Sequence, residues 1–352
     1  MEIIITGALP PKRVAEALAK EIPQDSAFIK RLQQHKATRH QLDSDLIGCT
    51  PAEYYQVQQQ EFSPIAGQRY VDALPALDYP KEKLDDNHGI FTLALCNIHV
   101  DFQSTRLFPS SQLQITKEQS LALFEAVKYL FAEKKIKLIA IKSDHWVLGL
   151  PQSFAGSIAS SSILSYRELH DYWPKEDHNK GLRQLLNEIQ MLWHKLPVNL
   201  ERKAQGLKEI NSAWIYGGAH PKQILPEPTY PYAIISTLEN SYRNEDWGRW
   251  LQLLPQLEKD IQTVQGNEFH QARAAAIAKA NNPFSSLKPG EDSAEPEASI
   301  LCRGESPSSS KKTSFLLAGF DQLIKLESLS FWERTVNNFK NSTDWKSWWH
   351  QS

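Results

Sequence analysis

Ile3, Ile4 and Ile5 form an unbroken apolar run that predicts a buried strand over 2–5. Pro10 and Pro11 end it, and Val14, Ala17 and Leu18 then recur at helical spacing over 13–21, a β-α opening. Residues 28–40 continue with polar helix character. Thr50-Pro51-Ala52-Glu53 has the form of a capping box: Thr50 at the N-cap, Pro51 at the first helical position, Glu53 reaching back. Strand formers crowd 91–100. A second capping box, Thr116-Lys117-Glu118-Gln119, precedes Leu121, Phe124, Val127, Leu130 and Phe131 on one helical face. Two strands follow over 136–141 and 145–150, around the turn Ser143-Asp144. This order predicts an α+β fold: a mixed or antiparallel sheet layer with helices.

Residues 156–165 are Ser-rich and read as a surface loop or short helix. Leu182, Leu185, Leu186, Ile189 and Leu192 mark the strongest helix, over 178–195, which Pro197 stops. Short strands are predicted over 214–216 and 232–237, and a helix over 247–264. Residues 281–314 hold Pro, Ser, Gly and Glu with few large apolar side chains, so burial cannot offset the entropy of ordering them, and a flexible insertion is expected. The resulting division is an N-terminal α/β segment (1–88), an α+β section (89–221), a strand and helix completing the core (222–280), the insertion (281–314) and a helical C-terminal segment (315–352). That last segment carries Trp332, Trp345, Trp348 and Trp349, an aromatic density to be buried or used in contact.

The 352 residues exceed what one core encloses, so two lobes are expected. Lys and Arg number 39 against 41 Asp and Glu, a net charge of -2, and no global field favours nucleic acid. Cys49, Cys96 and Cys302 are odd in number and widely spaced, which fits a reducing cytoplasm. Residues 1–9 are too short and too lightly charged for a secretory leader, and no apolar run reaches the length of a membrane span. A cytoplasmic protein without membrane contact is expected.

Candidate chemistry concentrates in 188–221. His194, Asn199, Arg202 and Asn211, set among loop signals, combine a titratable ring, a guanidinium fork and two amides able to grip a small anion. The same residues serve equally as turn caps, with Arg202 paired to Glu188 or Glu201. Gly217, Gly218 and His220 form a second candidate, because glycines after a strand admit a ligand to the backbone; a tight turn before Pro221 explains them too. His170, Asp171, Asp177 and His178 have metal-binding residue types but no standard spacing, and a charged first helical turn accounts for Asp177. Asp85-Asp86-Asn87-His88 reads as a solvated loop, no serine lies in a G-x-S-x-G context, and Cys96 within a strand reads as core.

The residues Pro197, Val198, Asn199, Arg202, Gly206, Asn211, Ser212, Trp214, Gly217 and Gly218 resemble a segment of the archaeal-type, cofactor-independent phosphoglycerate mutases. They resemble more closely a bacterial family of RpfE-type regulatory proteins. With Ala94 to His99 and the helix from Thr116, the likeness covers roughly 89–221, about a third of the chain. It implies a mutase-like middle section. The mutases carry D-G-x-x-D after their first strand, where this chain reads Thr6-Gly7-Ala8, and Leu95, Trp146 and Tyr216 stand where the family would aim arginines at phosphate. The departures imply a cytosolic interaction or regulatory protein with no mutase activity, no metal and no cofactor, and with a protein partner or a small anionic ligand. The alternative is an enzyme acting on a phosphorylated small molecule.

Overall fold

The computed structural model describes residues 1–23, 25–101, 104–151, 154, 159–165, 167–173, 179–266, 300–304, 313–328 and 345–349. Two compact units are present, one of Met1–Ser44, Glu227–Asn281 and Pro296–Ser352, the other of Asp45–Pro226 and Asn282–Glu295. Among the described residues the strands are β1 (Glu2–Thr6), β2 (His35–Gln41), β3 (His88–Val100), β4 (Thr105–Pro109), β5 (Lys137–Ile141), β6 (His145–Pro151), β7 (Ser212–Gly217), β8 (Tyr232–Ile235), β9 (Ile300–Arg303), β10 (Ser314–Ala318) and β11 (Gln322–Ser328). The fold is α+β, with one mixed and one antiparallel sheet.

The first unit holds a sheet in the order β2-β11-β10-β1-β8-β9. β1 runs parallel to both β10 and β8, and Ile3, Ile4 and Ile5 are fully buried, as a central parallel strand covered on both faces requires. The helix Trp247–Gln265 buries Trp250, Leu254, Leu257 and Ile261. Trp250 and Trp349 donate their indole N–H to the carbonyls of Gly7 and Ala8 at 2.8 and 2.9 Å, and both rings pack on Phe28. Trp345 and Trp349 are buried, whereas Trp332 lies outside the described residues.

Three sequence expectations change here. The polar helix over 28–40 ends at Gln33, and His35–Gln41 is instead an edge strand along β11. Lys and Arg on an edge strand are favourable, so their polarity argued against a buried strand, not against an exposed one. The C-terminal segment opens with a β10–β11 hairpin where helix was expected, because Leu323, Ile324 and Leu326 pack on a sheet. Within the expected insertion, Ile300–Arg303 pairs antiparallel with β8; the rest of 281–314 lies outside the described residues apart from 304, 313 and 314.

In the second unit β3 pairs antiparallel with β4, β6 and β7, and β5 completes the sheet on β6. Phe91, Leu93 and Leu95 alternate into a core with Trp146 and Trp193, packed by the helices Lys117–Glu133 and Lys180–Trp193. Each buried indole there has an acceptor: Trp146 donates to Ser120 Oγ, Trp193 to the Leu123 carbonyl and Trp214 to the Ala159 carbonyl. Both expected capping boxes form, at Thr50 with Glu53 and at Thr116 with Gln119.

Candidate functional site

Asn199 and Arg202 stand on a helix, Pro197–Ala204, not in the expected loop. Pro197 ends one helix and opens the next, its fixed φ and missing N–H suiting the first helical position. Asn199 and Arg202, three residues apart, therefore share the buried face. The Asn199 side chain accepts from the Ile210 N–H at 2.8 Å and donates to the carbonyls of Ile210 and Trp193 at 2.9 and 3.0 Å. Arg202, fully buried, donates through Nε to the Lys208 carbonyl at 2.8 Å, through Nη1 to Gln119 Oε1 at 2.7 Å, and through Nη2 to the Leu113 carbonyl. Neither Glu188 nor Glu201 is among these partners; Glu188 pairs with Lys134 at 3.2 Å. Asn211 brackets Ile98, accepting from its N–H at 2.8 Å and donating to its carbonyl at 3.0 Å. His194 is exposed just beyond the end of Lys180–Trp193.

Gly217 and Gly218 both have positive φ, at 114° and 133°. A Cβ on Gly217 would lie 2.6 Å from Pro75 Cγ and 2.7 Å from the Ile90 carbonyl oxygen, while a Cβ on the facing Gly89 would lie 2.1 Å from the Gly218 carbonyl oxygen. The glycines thus let two strands and a 3-10 stretch, Tyr70–Asp78, meet closely. His220 is buried, its Nδ1 accepting the Lys222 N–H at 3.0 Å, so that Nε2 carries the proton and faces the Leu84 carbonyl at 3.5 Å. Of the His170 cluster, His170 and Asp171 are exposed on a short helix, and Asp177 and His178 lie outside the described residues. Cys96 is fully buried, and burial pushes its thiol well above the ordinary range, which leaves little thiolate for nucleophilic work.

A different set of polar groups gathers on the sheet face opposite Phe91, Leu93 and Leu95. Thr92 sits opposite Tyr216 across β3–β7, and Ala94 opposite His145 across β3–β6. Over this face lie the helix Pro51–Gln59 and the turn at Ser160, whose N–H donates to the Gly48 carbonyl at 2.8 Å. Glu53 Oε2 accepts the Thr50 N–H and the Ser160 hydroxyl, each at 2.8 Å, and Ser162 adds a third hydrogen bond. The Tyr216 hydroxyl has Ser161 and Thr92 as hydrogen-bond partners. Asp144 Oδ1 lies 2.8 Å from His145 Nδ1.

The electrostatics of this cluster are uneven. Burial raises the Glu53 carboxyl above its ordinary value against the pull of its hydrogen bonds. Tyr216 is pushed up first by burial and then by the carboxylates of Glu53 and Asp144. Burial alone would raise Asp144 too, but His145, a backbone N–H and Lys142 together hold it below the usual range. Glu53, Asp144, Ser161, Ser162 and Tyr216 nevertheless remain partly exposed. The sequence concealed this group because the capping box accounted fully for Glu53, and the serines read as surface loop. Among the described residues no three His, Cys, Asp or Glu side chains are set to hold a metal ion.

No protein-family model matches the chain. No curated protein matches it either. Among solved structures, the PH0037 protein from Pyrococcus horikoshii is similar at 12% identity and a TM-score of 0.29, over 62% of this chain and 51% of that one, so this chain spans about half of its length. A cofactor-independent phosphoglycerate mutase from Thermoplasma acidophilum DSM 1728 is similar at 10% identity and a TM-score of 0.30, over 92% of this chain and 88% of that one. These are distant structural similarities, and overlaps this low place no residue of either protein on this chain.

Proposed function

We propose that this is a cytosolic interaction or regulatory protein that binds a small molecule in the unit Asp45–Pro226, at Glu53, Ser161, Ser162 and Tyr216, and that has no mutase activity. The observation that carries the binding reading is that Glu53, in the first turn of the helix Pro51–Gln59, and Tyr216, on β7, are both partly exposed residues whose carboxyl and phenol have hydroxyl neighbours. Pre-oriented polar groups of this kind bind without a large ordering cost. The loss of mutase chemistry is argued from β1, which runs into Thr6-Gly7-Ala8 with no carboxylate of its own to hold a metal, while the Glu239 carboxylate at this end accepts the Thr6 hydroxyl at 2.9 Å. Three buried, unpaired cysteines support the cytosolic assignment. Asn199, Arg202 and Asn211 serve the fold in this reading, since their polar atoms hold backbone groups. The test is a thermal-shift screen of small metabolites against wild type and Tyr216→Phe. The expected result is a ligand that raises the wild-type Tm and loses that effect in the variant, with the unliganded Tm little changed. A screen whose positive ligands all act equally on the variant would overturn the assignment of the site.

A further inference from the structure

Trp345–Ser347 is a single 3-10 turn that runs on into Trp348 and Trp349. Its backbone bonds are its own: the N–H groups of Trp348 and Trp349 both donate to the Trp345 carbonyl, at 3.3 and 2.9 Å. Among the described residues no backbone-to-backbone hydrogen bond ties this turn to the sheet. Side chains hold it instead. Trp349 is buried with its ring centre 5.9 Å from that of Phe28 and 6.0 Å from that of Trp250, and Trp345 is buried against it at 5.1 Å. The Trp349 indole N–H donates to the Ala8 carbonyl at 2.9 Å, and Arg39 Nη2 donates to the Trp348 carbonyl at 2.9 Å. One helical turn has no stability of its own in water, so these residues keep their shape only while seated. They stand to the first unit as a ligand stands to its pocket.

Trp250 gives the contrast. It donates to the neighbouring carbonyl, that of Gly7, at 2.8 Å and packs on the same Phe28 ring at 6.1 Å, but it is carried by the 19-residue helix Trp247–Gln265. Phe28 is carried by the helix Ala27–Gln33, and Ala8 follows β1. The walls of the seat are thus fixed by the fold, and the seat selects what enters it. An aliphatic side chain would cover the two rings and leave the buried Ala8 carbonyl without this donor, whereas an indole supplies both.

We propose that Phe28, Trp250 and the Ala8 carbonyl form a peptide-binding seat for a tryptophan-bearing stretch, filled by the chain's own Trp345–Trp349 and open to the same stretch of a second copy by exchange. The seat belongs to the first unit and the small-molecule site to the second. Tethering gives the chain's own stretch a high effective concentration, so exchange between copies is held back until that stretch is weakened or the chains are concentrated.

Indole proton exchange in the full chain, followed by NMR, compares Trp349 with Trp250, whose hydrogen bonds are nearly equal in length. Trp349 should exchange faster by about tenfold or more, because its turn opens without unfolding the helix that carries Trp250. Equal rates would overturn the proposal. A fluorescent peptide of residues 343–352 is then titrated into the wild-type chain and into the full chain carrying Trp345→Ala and Trp349→Ala. It should bind the variant more tightly than wild type by about tenfold or more, because the variant's own stretch no longer competes. Equal binding to both, or no binding to a variant that circular dichroism shows to be folded, would overturn the proposal. A variant that fails to fold would overturn it too, by showing that the two tryptophans are core and not ligand.

Discussion

Arg202 Nη1 donates to Gln119 Oε1 at 2.7 Å, and the same oxygen accepts the Thr116 N–H at 3.3 Å. One amide thus joins the cap of the helix Lys117–Glu133 to the buried face of Pro197–Ala204. Arg202→Lys keeps the charge but loses the planar fork that also reaches the Lys208 and Leu113 carbonyls. The unliganded protein should lose about 1–3 kcal/mol in urea denaturation. An unchanged midpoint with an unchanged slope would contradict the structural role given to Arg202.

The close approach at the β3–β7 end should be equally sensitive. Gly89→Ala sets a methyl against the Gly218 carbonyl at 2.1 Å, which only backbone movement relieves, so a loss of about 3 kcal/mol or more is expected. Gly67→Ala is the control: its φ is also positive, at 87°, but nothing lies within 4 Å of the added atom. It should cost about 1–2 kcal/mol from backbone conformation alone. Thermal denaturation of the two variants side by side decides the point, and equal losses would show that the packing argument fails.

Glu53 and Asp144 should give pH dependences of opposite sign. A carboxyl raised in the folded state contributes its stability below the unfolded-state pKa and loses it as pH rises through the folded value. Glu53→Gln, which does not titrate, should therefore gain on wild type as pH rises above the unfolded-state pKa and through the raised folded value. Asp144 is lowered, so its contribution is present above the unfolded-state pKa and fades as pH falls. Asp144→Asn should be the weaker protein near neutrality and approach wild type in acid. Parallel curves for the two variants would refute these environments.

Purified protein should not interconvert 2- and 3-phosphoglycerate, with or without manganese, in a coupled assay. Turnover that survives repurification and disappears with a single substitution in this chain would reverse that part of the proposed function.

Much of the framework was legible from local pattern. The isoleucine run at 3–5, the two capping boxes, the 180–193 helix and the strands at 137–141 and 145–151 each rest on signals that tertiary packing reinforced. β2 and the β10–β11 hairpin were missed: pairing along an edge supplies what polar or mixed stretches lack in local propensity. The helix Pro197–Ala204 was hidden because Pro197 reads as a stop when it is also a start. The site was less legible still. Thr92 meets Tyr216 only through the register of β3 with β7, and Glu53 meets Ser160 only through the seating of that turn on the helix Pro51–Gln59, neither of which leaves a sequence signal.

The most direct measurement is a crystal structure of the protein grown with the tightest-binding ligand from the thermal-shift screen. Density for the ligand should lie on the face formed by Thr92 and Tyr216, within hydrogen-bond distance of the Tyr216 hydroxyl or a Glu53 carboxylate oxygen. Density for the bound ligand at another place, with Glu53 contacted only by Thr50, Ser160 and Ser162, would contradict the assignment of the site.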